Sequence, residues 1–109
     1  MNHSQEVMKH LEAISDPIRM KIIFTIGCQG RLNVKQISSH FTISRPAISH
    51  HLKILRNFGL LFCEKVGKEM YYSLNKHKLV IQLRALADEL EQLEQLEQIE
   101  QLNVTPSAI

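Results

Sequence analysis

The sequence predicts a mainly α-helical domain with a two-stranded β-hairpin, in the order α-α-α-α-β-β-α. Three observations predict it. Apolar residues recur at helical spacing in the segments before Gly59, and the period then turns strand-like across "NFGLLFCEKVGKEMYYSL". A last helical pattern follows, with Leu79, Leu83, Leu86, Leu90 and Leu93 spaced 4, 3, 4, 3. A chain of 109 residues, 44% hydrophobic and 22% charged, has room for one folded domain, placed at 1–102, with a frayed tail over 103–109.

The first helix is expected from Ser4 to Ile14, with Val7, Leu11 and Ile14 as its apolar stripe. "SDPIRMKIIF" opens a second: Asp16 can cap free amides, and Pro17 suits a first helical position that needs no donor. Ile18, Ile22 and Ile26 face inward, and Gly27 and Gly30 end the helix. Asn33 caps a third, in which Val34, Ile37 and Phe41 repeat. Ser44 caps a fourth that tolerates Pro46 in its first turn and lines up Ile48, Leu52 and Leu55 on one side. Two short helices joined tightly, the second polar near its start, make a helix-turn-helix.

Gly59 stops the fourth helix. Leu60 to Val66 and Met70 to Leu74 read as strands, with Gly67 and Lys68 as the turn and Lys65 near the tip. A hairpin after a helix-turn-helix is the order of a winged helix. Asn75 can cap the last helix, which runs from the leucine seam into "LEQLEQLEQIEQL". Leucines three apart drift around a helix by about 60° per step. The next heptad positions fall on Glu97 and Glu100, so the sequence predicts continued helix but no long coiled coil.

The formal charge of +2 conceals a split. Residues 1–78 hold twelve Lys and Arg against five Asp and Glu; from 79 on, Arg84 stands against Asp88 and five Glu. A basic front suits a polyanion that an acidic rear would repel; the other reading is two solvated faces. No run of 18 apolar residues exists and the first residues are too polar for a signal peptide, so no membrane partner and a cytoplasmic location are expected. Cys28 and Cys63 form no CxxC spacing and read as reduced thiols, with a redox or persulfide role as the alternative. No catalytic carboxylate pair, activated nucleophile or phosphate-cradling loop points to an enzyme.

From Glu6 to Leu90 the chain resembles the ArsR/SmtB family of bacterial transcriptional repressors. The resemblance rests on Pro17 and Arg19, on Ser44-x-Pro46-x-x-Ser49-x-His51-Leu52, on Leu55-Arg56-x-x-Gly59-Leu60, and on Gly67-Lys68 before Tyr71-Tyr72. It implies a homodimer of winged helices, built largely from the first and last helices, that represses from a palindromic double-stranded DNA operator. Val7, Leu11, Leu79, Leu83, Leu86 and Leu90 would supply the subunit contact.

Many members of that family sense metals. One family site needs two cysteines where this chain has Leu32-Asn33-Val34-Lys35-Gln36-Ile37, without a thiol. The other matches Asn75, His77, Asp88 and Glu91, a set in which only His77, Asp88 and Glu91 could hold zinc or nickel. No cofactor is therefore expected. A metal- or thiol-responsive derepressor remains the alternative, and a winged helix used for protein interaction is a third reading.

In the winged-helix reading Ser44, Arg45, Ala47, Ser49 and His50 stand within reach of base edges. Arg45 suits guanine O6 and N7, or a phosphate. Lys53 and Arg56, farther along, suit phosphates, as do Lys65 and Lys68 on the wing. His51, about 100° around the helix from His50, is expected at the core boundary. Tyr71 and Tyr72 point to opposite faces, one into the core.

Overall fold

The second helix starts where Asp16 can satisfy its free amides, and that start positions much else. The Asp16 carboxylate accepts from the Ile18 and Arg19 amides at 2.8 and 3.1 Å, and Pro17 follows in the first helical turn. The computed structural model describes residues 3–103; the tail from 104 and the Val7 side chain lie outside the described residues. Its elements are α1 (His3–Ile14), α2 (Pro17–Gln29), β1 (Arg31–Asn33), α3 (Val34–Ser38), α4 (Arg45–Asn57), β2 (Leu61–Val66), β3 (Glu69–Leu74) and α5 (Lys76–Asn103). The helix-turn-helix and the hairpin stand where the apolar periods place them.

Two differences from the sequence reading have local causes. Gly27 does not end α2, which runs on to Gln29 before Gly30 closes it with a 2.7 Å bond from its amide to the Ile26 carbonyl. A helical glycine is tolerated here because α2 lies close to β3: a Cβ on Gly27 would stand 3.2 Å from Leu74 Cδ2. The hairpin is joined by a third strand, and the antiparallel order is β1-β3-β2. Arg31 pairs with Ser73 and Leu32 with Tyr72, while Cys63 faces Tyr72 from the other side. A three-residue strand gives no alternating pattern long enough to read.

The core is assembled from one stripe of each element. Ile22, Ile23 and Ile26 of α2, Ile37 of α3, Ile48, Leu52 and Leu55 of α4, and Leu60 are buried almost completely. Ile18, expected inward, is half-buried against them, as are Val34, Phe41, Phe58, Tyr72, Leu74 and Leu79. Tyr72 is thus the inward tyrosine. Burial pushes its phenol above the ordinary value, and the adjacent Cys63 thiol adds to the effect.

Local chemistry fixes each joint. Asn33 and Gln36 form a reciprocal capping box, at 2.8 and 2.9 Å, that starts α3 directly after β1. The end of α4 is a Schellman turn: the Gly59 amide donates to the Arg56 carbonyl at 2.8 Å and the Leu60 amide to the Leu55 carbonyl at 3.0 Å. Gly59 has φ +73°, and a Cβ there would collide with the Lys78 side chain. Asn75 locks the same corner from the other side: its side-chain amide donates to the Gly59 carbonyl at 3.0 Å, while its Oδ1 accepts from the Lys78 amide at 3.3 Å.

The α2 cap makes a stability prediction. The bond from the Arg19 amide, followed by that from Ile18 and the charge of Arg19, holds the Asp16 carboxyl below its ordinary value, against a smaller upward push from burial. A lowered folded-state pKa contributes stability that is present above the unfolded value and lost as pH falls through the folded one. Asp16→Ala is expected to cost about 1 kcal/mol at neutral pH. In urea titrations its deficit relative to the parent chain should shrink below about pH 4.

Candidate nucleic-acid interface

Helix α4 has two jobs on opposite sides. Ile48, Leu52 and Leu55 anchor one side in the core, which leaves Arg45, Ser49, His50, Lys53 and Arg56 exposed on the other. The helix starts at Ser44, whose hydroxyl accepts from the Ala47 amide at 3.3 Å. Ser44 is therefore occupied as a cap, although it stays exposed, and Ala47 is half-buried rather than fully presented. No Asp or Glu lies between Pro17 and Cys63, where seven Lys and Arg stand. The outward side of α4 carries three cations, Arg45, Lys53 and Arg56, and no carboxylate.

The two histidines of "SHHL" divide between these sides. His50 is exposed; His51 is half-buried, with the ring centroids 6.0 Å apart. Arg19 Nη1 lies 3.2 Å from His51 Nδ1, and Arg19 Nε donates to the Ala13 carbonyl at 2.5 Å. Because a guanidinium can only donate, Nδ1 accepts and the ring proton sits on Nε2. One side chain thus joins the end of α1, the start of α2 and the middle of α4. Sequence reasoning placed His51 at the core boundary but did not find this link, since a contact across 32 residues leaves no local period.

The wing lies at the far end of the sheet. Lys65 and Lys68 are exposed on either side of the Gly67 turn, where φ is +63°. Tyr71 lies beneath the Arg31 guanidinium, 4.7 Å from its ring centroid, and Arg31 Nη1 also pairs with Glu64 at 3.2 Å. Arg31, brought to the wing by the unanticipated β1, is a cation that the sequence reading did not assign.

A different surface joins the sequence-predicted subunit contacts. Leu11, Ile14, Leu60, Leu79, Gln82, Leu83 and Leu86 line a narrow apolar crevice between α1 and α5. Met8, Leu11, Phe24, Val80, Leu83 and Leu90 are exposed on the helices around it. Leu79 is already packed on the core.

Within one protomer the three metal candidates do not converge. His77, Asp88 and Glu91 are exposed, and Asn75 is engaged in the α4–β2 corner. Among the described residues, no three His, Cys, Asp or Glu side chains gather where they could hold a metal ion. One imidazole and two exposed carboxylates do not fit the nitrogen- or sulfur-rich sets that zinc and nickel favour. Cys28 is exposed and Cys63 half-buried, both as free thiols. Among the described residues no helix is long and apolar enough to cross a membrane.

Comparison with known proteins agrees with this geometry. The profile of the bacterial regulatory protein, arsR family, matches residues 16–61, from the α2 cap to the start of the wing. The transcriptional repressor SdpR of Bacillus subtilis is 44% identical over 64 residues, which cover 59% of this chain and 70% of that protein. A transcriptional repressor SmtB homolog of Synechocystis is 29% identical over 92 residues, 84% of this chain and 69% of that one. An ArsR-like transcriptional regulator from Rhodococcus superposes with a TM-score of 0.76 at 27% identity, covering 94% of this chain and 97% of that one. The residues the profile matches are those that build the helix-turn-helix and its supports, and the chain belongs to the ArsR/SmtB family of DNA-binding transcriptional regulators.

Proposed function

We propose that the protein is a repressor that binds a palindromic operator as a homodimer, with α4 in the major groove and the β2–β3 wing on the adjacent backbone. The observation that carries this reading is the outward side of α4: cationic, free of carboxylates, and fixed at both ends by a cap and a Schellman turn. Arg45 and His50, with Ser49, Ser44 and the Ala47 methyl, are the groups for base edges. Lys53, Arg56, Lys65 and Lys68 neutralise phosphates, which raises affinity without choosing sequence. Arg45 is the main specifier because its fork can donate two bonds to one guanine.

Exposed apolar area supports the homodimer reading. A chain of this size that leaves Met8, Leu11, Val80, Leu83 and Leu90 exposed has apolar surface to bury. Pairing through α1 and α5 would cover it. It would also hold two copies of α4 about 34–36 Å apart, the spacing of successive major grooves. The acidic half of α5 would then lie away from the DNA.

Selection of bound duplexes from a random pool supplies the operator for two tests. Arg45→Ala should weaken operator binding by about ten- to a hundredfold and relax the preference at one base pair in each half-site, whereas Lys53→Ala should weaken all duplexes alike and lower the salt slope by about one per half-site. Equal effects of the two substitutions on sequence preference would count against the placement of Arg45.

Leu83→Asp tests the interface. Leu83 is 44% exposed in the protomer, so the helical circular dichroism should be kept while sedimentation shows a monomer and operator affinity falls. A dimer that survives this change would move the interface elsewhere.

A further inference from the structure

We propose that the C-terminal half of α5 is a docking surface for a cationic amphipathic helix of another protein. Helix α5 runs for 28 residues, and its first half rests on the core through Leu79 and against α1 through Leu83 and Leu86. Beyond them Leu90, Leu93 and Leu96 are 57%, 58% and 56% exposed. A helical arm whose leucines are more than half exposed is marginal in water. Its leucines, three residues apart, form one continuous ridge inclined by about 45° to the helix axis. A partner helix packs across such a ridge obliquely.

Charge selects the kind of partner. From Glu91 to Asn103 the arm carries Glu91, Glu94, Glu97 and Glu100 and no Lys, Arg or His. No opposite charge is therefore available within this stretch for an i,i+4 pair. The glutamates near the helix end also face the negative pole of its dipole, with no basic residue in the last turn. Both defects are relieved by lysines or arginines from outside. Nucleic acid is repelled by the same charges.

A second copy of the arm is a poor fit. Extending the Leu79–Leu83–Leu86–Leu90–Leu93 seam places Glu97 and Glu100 at the next heptad positions, so self-pairing would set glutamate against glutamate. Leu96 has meanwhile turned about 120° away from Leu90, out of that seam. Leu90 and Leu93 lie in that seam, so Leu96 is the ridge residue left open once the subunits pair. A basic helix with leucines on one side can satisfy the ridge and the flanking glutamates together.

The full chain would be titrated with two synthetic amphipathic helices, each with leucine at heptad positions a and d, one with lysine and one with glutamate at e and g. Fluorescence anisotropy should show the lysine peptide binding with an affinity that falls as salt rises, and the glutamate peptide not binding. Leu96→Ser should weaken the lysine peptide by about tenfold, from the loss of one buried leucine. A Glu94→Gln, Glu97→Gln, Glu100→Gln variant keeps helix-forming residues and should weaken binding and flatten its salt dependence. Circular dichroism should show both variants as helical as the parent. The proposal is overturned if the lysine peptide does not bind, if both peptides bind equally, or if neither variant changes binding. It is also overturned if sedimentation shows the parent chain in a larger assembly that Leu96→Ser reduces, because the arm would then be covered by its own copies. Operator affinity, measured separately, tests the DNA reading and is expected to be unchanged in both variants.

Discussion

The constraint on which the rest depends is that one thirteen-residue helix, α4, must be core on one side and cationic surface on the other. A helix can do this only if its apolar stripe is narrow and complete, and Ile48, Leu52 and Leu55 leave no exposed area on that side. Burying such side chains is worth about 1.5–3 kcal/mol each, far more than mutual repulsion among exposed cations costs in water. The core therefore determines which side chains face outward. α2 and α3 supply the facing wall, through Ile22, Ile26 and Ile37.

Hydrophobic burial fixes which side of α4 faces inward, but it is non-directional and leaves rotation and sliding loosely specified. Directional bonds supply what is missing. Arg19 ties His51 to the Ala13 carbonyl, and the Gly59 corner is held by the Schellman bonds together with Asn75. Charge-assisted bonds at a half-buried site contribute about 1.5–3 kcal/mol, enough to select one orientation without dominating stability. The arrangement also links distant elements. A shift of α1 or α5 would act on Arg19 or Asn75, and through them on the middle and the C-terminal end of α4.

Much of this was legible in the sequence because it is local. Helix starts at Asp16, Asn33 and Ser44, the inward stripe of α4 and the Gly67 turn each need only neighbouring residues, and the structure has all of them. What escaped was non-local or too short to have a period. β1 is defined by its pairing with β3, not by its three residues, and it brings Arg31 to the wing and onto Tyr71. The Arg19–His51 contact needs the packed fold before either residue can signal it. Gly27 misled because glycine's usual role as a helix stop was overridden by the close passage of α2 over β3. Asn75 was legible as a cap, but its second bond, to Gly59, needed the corner to be built.

The asymmetry of charge follows from the same economy of surface. Basic side chains help only where they approach phosphates, within roughly a Debye length of about 8–10 Å. Acidic residues among them would cancel the field, and the stretch from Pro17 to Cys63 has none. A chain that was basic throughout would bind nucleic acid on every side and lose the contrast between reading face and rear. Collecting Asp88 and the glutamates on α5 restores a net charge of only +2 while keeping the front strongly positive. The cost is a helix whose own end is electrostatically mismatched. An acidic arm with an exposed leucine ridge is therefore both what keeps DNA to one side of the molecule and what leaves the other side open to a cationic partner.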